Sequence, residues 1–157
     1  MRNFAIPVFV LFILIMPVPE ADGSVNHNLG ISGGFPQMIA ITYKADLGRY
    51  LALEGYVGSL GFTNATGGGR LILGSTLQGI KPRLFAGVCV VDQYYADYPD
   101  NPTGTESYLW GGGGVAYEFP DGFELAADLA YVGEGDRDRG LGYNTGLSFS
   151  AGLMFPL

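Results

Sequence analysis

The sequence predicts an all-β fold, an eight-stranded antiparallel up-and-down barrel, on three observations. First, the last stretch alternates strictly: Leu147, Phe149, Ala151, Leu153, Phe155 and Leu157 share one parity, and Asn144, Gly146, Ser148, Ser150, Gly152 and Met154 share the other. Successive strand side chains point to opposite sides of a sheet, so this is a strand with one fully apolar face. Second, seven earlier segments alternate in the same way. Third, their connections fall into a short set and a longer set that themselves alternate along the chain.

The first strand, Asn28 to Phe35, sets Leu29, Ile31 and Phe35 against Asn28, Gly30 and Ser32. The second, Gln37 to Ala45, sets Ile39, Ile41 and Tyr43 against Met38, Ala40, Thr42 and Lys44. In the third, Arg49 to Leu60, Leu51, Leu53 and Val57 oppose Tyr50, Glu54 and Tyr56. The fourth, Gly69 to Leu77, opposes Leu71, Leu73 and Leu77 to Arg70 and Thr76, with Gln78 just beyond. The fifth, Arg83 to Tyr94, has Leu84, Ala86, Val88 and Val90 on its apolar face and Arg83, Phe85, Cys89 and Val91 on the other. The sixth, Ser107 to Phe119, opposes Leu109, Val115, Tyr117 and Phe119 to Tyr108, Trp110 and Glu118. The seventh, Phe123 to Val132, opposes Phe123, Leu125, Leu129 and Tyr131 to Glu124 and Asp128, and the eighth is Tyr143 to Leu157.

The even-numbered connections are short: Asp46-Leu47-Gly48, Gln78 to Pro82, and Pro120-Asp121-Gly122. Three odd ones are longer and polar: Phe62 to Gly68, Gln93 to Glu106, and Gly133 to Gly142. Only the first odd connection, around Gly34 and Pro36, is tight. Short turns on one rim and long loops on the other are the pattern of bacterial membrane barrels.

Arg2 and the 13-residue apolar run Phe4 to Met16 have the form of a secretory signal, too short to span a bilayer as a helix. Ala21 and Gly23 suit positions −3 and −1, which divides the chain into a signal peptide, 1–23, and a barrel domain, 24–157. Cleavage after Ala21, or retention as an uncleaved anchor, are the alternatives. Hydrophobic residues make up 48% of the chain, yet beyond the leader no segment is continuously apolar over 18 residues. The single cysteine, Cys89, excludes an intrachain disulfide framework and is expected to be a buried, inert thiol. The net charge of −7 argues against nucleic acid as a partner.

These strands, with an apolar-aromatic one running to the C-terminus behind a secretory leader, resemble the small eight-stranded bacterial outer-membrane barrels, of the OmpX type and the membrane domain of OmpA. The resemblance covers the whole chain after the leader and is one of architecture. It implies a transmembrane β-barrel in the outer membrane, contacts with outer-membrane lipid and lipopolysaccharide, and a C-terminal strand read by the barrel-assembly machinery. Family members often end in Phe, whereas here Phe155 is followed by Pro156-Leu157. Tyr43, Tyr117, Phe119, Phe123, Tyr131, Tyr143 and Phe155 lie near strand ends on the apolar face, where the family has its aromatic girdles.

The same alternation also describes a soluble periplasmic barrel with its apolar face turned inward around a ligand. The polar face is unusually bare: Gly30, Ser32, Gly58, Gly74, Gly87, Gly112, Gly114, Gly146, Ser148, Ser150 and Gly152 suit a narrow interior better than a solvated exterior. The ionisable residues on that face are Lys44, Glu54, Arg70, Arg83, Glu118, Glu124 and Asp128. Both signs occur on neighbouring strands, so Lys44, Glu54, Arg70, Arg83 and Asp128 are expected to form a neutralising network in the lumen, with Glu54 near Lys44 or Arg70. Glu118 and Glu124, beside a turn, are expected to be solvated at the rim.

No pattern points to a catalytic, cofactor-binding or metal-binding residue. His27 is the only histidine and is expected to be a solvated residue near the start of the barrel domain. Some barrels of this architecture are lipid A-modifying hydrolases with His and Ser close together on one strand, but no His-x-Ser occurs here. Gly111 to Gly114 is not a phosphate loop, because no Lys-Ser or Lys-Thr follows. It is expected to give bulky lumen side chains such as Trp110 or Tyr56 bare backbone to pack on. Gly67-Gly68-Gly69 reads as the flexible end of a loop. The carboxylates of the 93–106 and 133–142 loops match no EF-hand or glycine-aspartate repeat. Those loops are read as solvated surface, with their tyrosines as a candidate recognition surface for an extracellular ligand. The functional expectation is a non-enzymatic envelope barrel, structural or surface-interacting, its lumen plugged by side chains. The alternatives are a narrow channel, a lipid-modifying envelope enzyme and a soluble ligand-binding barrel.

Overall fold

The computed structural model describes residues 25–34, 37–48, 50–59, 64–74, 79–94, 103–134 and 146–157. The proposed signal segment 1–23, together with Phe35, Thr76, Leu77, Gln78 and Tyr143, lies outside them. Eight strands follow one another in chain order: β1 Asn26–Gly34, β2 Met38–Asp46, β3 Leu51–Ser59, β4 Asn64–Gly74, β5 Gly79–Tyr94, β6 Thr103–Glu118, β7 Glu124–Glu134 and β8 Gly146–Pro156. Each pairs antiparallel with its sequence neighbour, and β1 also pairs with β8, so the sheet closes on itself. Closure gives every strand two partners and leaves no free long edge.

The register shows how the closure is made. Partners followed from Asn28 through Lys44, Glu54, Arg70, Gly87, Trp110 and Val132 arrive at Gly146 on β8. Asn28 itself faces Pro156, so one circuit displaces the register by ten residues. Such a stagger tilts the strands, and with eight strands it leaves an interior just wide enough for side chains to fill.

Every strand turns its apolar face outward. Leu84 on β5 is 66% exposed and Phe149 on β8 is 63% exposed, while Glu54 on β3 is 1% exposed. The inward-facing alternative, an apolar interior around a ligand, is therefore not the fold adopted. Tyr117, Phe119, Phe123 and Phe155 form a run of ring contacts on the outside at the short-turn end, with centroids 4.7, 5.1 and 5.2 Å apart in succession. The turn between β6 and β7 closes there through Gly122 N–H to Phe119 C=O at 2.9 Å, with Gly122 at φ 84°. Pro120 and Asp121 occupy the positions a type I turn favours, and glycine takes the left-handed one.

Several strand boundaries differ from the sequence reading. The fourth strand starts at Asn64 rather than Gly69 and ends at Gly74, so Gly67-Gly68-Gly69 is paired strand and not a loop end. Its glycines serve packing: a Cβ on Gly68 would lie 2.6 Å from Tyr56 Oη and 2.8 Å from Tyr56 Cζ. Bare backbone therefore carries the Tyr56 ring here, not on Gly111 to Gly114 as expected. Gly114 instead makes room for the Asp128 carboxylate. Strands β5 and β6 are each 16 residues long, so the expected 93–106 loop is shortened at both ends.

This packing predicts a contrast between two glycines. Gly68→Ala forces backbone or the Tyr56 ring to move and should cost about 1–3 kcal/mol, as overpacking does. Gly133→Ala, where the nearest atom to a new Cβ is 3.6 Å away, should fall within about 0.5 kcal/mol of wild type. Urea unfolding of the purified barrel measures both.

Candidate functional site: the ionic interior

The lumen divides into an apolar part and an ionic part. Tyr56, Phe85, Cys89, Val91, Tyr108, Trp110 and Val132 belong to one buried cluster. They come from β3, β5, β6 and β7, and all but Phe85 lie in the longer-loop half of their strands. Phe85 and Trp110 meet at 5.1 Å between ring centroids, and the Tyr56 ring stands edge-on to Trp110 at 6.1 Å. Cys89 is buried, and its thiol shares a 3.1 Å hydrogen bond with the Thr66 hydroxyl.

Beneath this cluster lie the charges, beginning with Arg70. Its Nε donates to Glu54 Oε1 at 2.7 Å and its Nη2 to Glu54 Oε2 at 3.0 Å, a two-pronged pairing. Its Nη1 donates to Asp128 Oδ2 at 2.6 Å. Arg83 grips the same Asp128 carboxylate, with Nε to Oδ1 at 2.8 Å and Nη2 to Oδ2 at 2.6 Å. The guanidinium of Arg70 also sits 4.8 Å from the Phe85 ring centroid and 5.3 Å from that of Trp110, so it joins the two parts. Planar guanidinium forks match carboxylates in this bidentate manner, and such charge-assisted bonds are the strong ones.

Lys44 stands directly across the ladder from Glu54, yet it bonds elsewhere. Both Glu54 oxygens are held by Arg70, and Lys44 Nζ instead reaches across the lumen to Glu124 Oε2 at 2.7 Å. Glu124 has two more cations nearby, Arg83 at 3.6 Å and Lys81 at 3.7 Å, and Lys81 also pairs with Glu118. Asp46 lies 3.6 Å from Lys44. Lys44, Glu54, Arg70, Arg83 and Asp128 are all buried, and they are in contact through these pairs.

Glu124 was expected at a solvated rim and is buried instead. Its place as the first residue of β7 suggested exposure, but its even parity with Asp128 puts it on the lumen face. Lys81 was missed for a related reason: β5 begins at Gly79, four residues before the start expected for it. A cavity of about 40 Å³ opens beside Lys44, Asp46, Lys81, Arg83 and Glu124 at the short-turn end. Among the described residues no group of three or more His, Cys, Asp or Glu side chains is arranged to hold a metal ion.

His27 is not a solvated terminal residue. It belongs to β1, stacks on Tyr43 with ring centroids 5.9 Å apart, and shares a 2.5 Å hydrogen bond between Nδ1 and the Tyr43 hydroxyl. Both rings have the parity of Leu29 and Ile41, which puts them on the outer face. The lumen serines Ser148 and Ser150 have the opposite parity, so His27 and these serines do not share a face.

The ionic cluster predicts strong non-additivity. Arg70→Met leaves Glu54 buried without its partner, which should cost about 3–5 kcal/mol. Glu54→Gln combined with Arg70→Met removes one charge of each sign and should recover a large part of that loss. A double-mutant cycle from urea unfolding midpoints measures the coupling.

No protein-family model matches this chain, and no curated protein matches it in sequence. Among solved structures, the chain is similar to the N-terminal β-barrel domain of Pseudomonas aeruginosa OprF, with a TM-score of 0.66 at 13% identity over 85% of this chain and 96% of that one. The outer membrane enzyme PagL aligns at a TM-score of 0.38 and 13% identity, over 85% of this chain and 99% of that one. That second alignment is too loose to bear on what this chain does. At this identity the OprF likeness speaks to the fold alone: the chain has the closed eight-stranded architecture of the outer-membrane barrels.

Proposed function

We propose that this protein is a bacterial outer-membrane barrel with no catalytic role, whose lumen is plugged by its own side chains and whose long loops face outside the cell. One observation carries the reading. The chain buries Lys44, Glu54, Arg70, Arg83, Glu124 and Asp128 while exposing Ile39, Ile41, Leu84, Leu109, Leu129 and Phe149. In water this inversion is unfavourable, because a belt of that extent would associate. In a bilayer it is what the surrounding hydrocarbon requires, and closure leaves no unpaired backbone facing lipid. The leader 1–23 is the proposed route through the inner membrane, and β8 the proposed signal to the barrel-assembly machinery. Outer-membrane lipid and lipopolysaccharide are the proposed surroundings.

An envelope structural or surface-interaction role follows from the same asymmetry. The paired ends of β5 and β6 run past the described end of β7. Among the described residues, Thr103 to Ser107 pair with β5 only, because pairing with β7 begins at Tyr108 and Glu134. The loops between β5 and β6 and between β7 and β8 are thus the proposed recognition surfaces. A conducting role is disfavoured by the ionic and aromatic groups packed across the interior.

Fractionation tests the reading. The protein is expected in the outer membrane, migrating faster on gels before boiling than after, and giving no steady conductance in planar bilayers. Recovery in the soluble periplasm, or stable open channels, would contradict it. Leu129→Arg should lose about 2–4 kcal/mol, the cost of a cation near the bilayer midplane. Protease added to intact cells should cut within 95–102 or 135–145 and spare Pro120-Asp121-Gly122, whereas cutting at that turn would reverse the orientation.

A further inference from the structure

Under the turn between β1 and β2 a layer of uncharged polar side chains borders the ionic cluster. Gln37 lies in that turn, and its side chain is 0% exposed. Among the described residues, neither its Nε2 nor its Oε1 has a hydrogen-bond partner. A primary amide has two N–H donors and two acceptor lone pairs, and buried groups of this kind are almost always satisfied. Gln37 lines a small cavity together with Ser32, Thr42, Arg70, Asp128 and Ser150. The cavity measures about 10 Å³, close to the smallest volume that holds a water molecule and too small for a larger solute.

The polar inventory around it is suited to one guest. Ser32 and Thr42 hydroxyls bond to each other at 2.7 Å, using one O–H of the two. The other O–H and the remaining lone pairs are left for a third group. The guanidinium and carboxylate below are already engaged, Arg70 by Glu54 and Asp128, and Asp128 by Arg83. An apolar hole of this size would stay dry, but a polar one with two to four partners retains its water.

We propose that a single water molecule is a built-in component of this barrel, held between the Gln37 amide and the hydroxyls of Ser32, Thr42 and Ser150. It gives the amide a hydrogen-bond partner and links Gln37 to the hydroxyl layer beside the ionic cluster. The site selects water by volume and by its ability to donate and accept at once. The inference concerns the interior alone and stands apart from the proposed location of the protein.

The test uses folded protein expressed from the full sequence and labelled with nitrogen-15. Cross-relaxation between the Gln37 side-chain NH₂ protons and a long-lived water is expected. A crystal structure at high resolution should show one water within hydrogen-bond reach of the amide and of at least one of the three hydroxyls. Gln37→Leu, close in size but without polar atoms, should lose both signals while keeping the Ser32–Thr42 bond. An amide bonded directly to protein groups, with no water signal, would overturn the proposal. So would a water that persists unchanged in Gln37→Leu. Should that variant not assemble, the wild-type spectrum and density decide the matter alone.

Discussion

Closure with eight strands and a ten-residue stagger is the constraint from which the rest of this structure follows. Strand number and stagger together fix the radius, and the radius fixes how much side chain the interior can hold. The interior cannot be filled by large residues at every row. Large groups such as Tyr56, Trp110 and Arg70 therefore alternate with positions that have no side chain. Gly68 and Gly114 are two such positions, one opposite Tyr56 and the other opposite Asp128. Neither glycine is needed for an unusual backbone angle. Each is needed because a neighbour occupies its space.

The ionic cluster is the electrical consequence of the same geometry. Glu54, Arg70, Asp128 and Arg83 carry two charges of each sign and are joined by bidentate pairs. An isolated charge in that position would be severely penalised, whereas a balanced and fully bonded set can be held. Arg70 is the central member because its guanidinium serves three purposes at once. It grips Glu54, bonds Asp128, and lays its face on Phe85 and Trp110. Lysine could supply the charge but not the fork or the flat stacking surface.

Much of this was legible in the sequence, because period-two alternation is a direct image of a sheet with two different sides. The eight strands rest on that signal, and the outward direction of the apolar face on the small residues that line the opposite one. The pairing of Glu54 was legible as a choice between Lys44 and Arg70, since all three share a parity on adjacent strands, and the structure gives it to Arg70. Three features were not. Gly67 to Gly69 looked like a loop because glycine carries no side chain from which to read a face, and only the Tyr56 ring reveals its role. Glu124 looked solvated because it borders a turn, and its burial depends on Lys44 reaching across the barrel. Gln37 gave no signal, since it stood only as the first residue of the second strand with no face assigned to it, and its burial is visible only in the folded barrel.

The most direct test of the account is depth-resolved accessibility of the outer face. Spin labels placed singly at Ile41, Leu84, Leu129 and Phe149, with the protein reconstituted in bilayers, can be relaxed by oxygen or by a water-soluble nickel chelate. Oxygen partitions into hydrocarbon and the chelate does not. Strong relaxation by oxygen and weak relaxation by the chelate are expected at all four sites. Strong relaxation by the chelate at these positions would place the apolar face in water and contradict it.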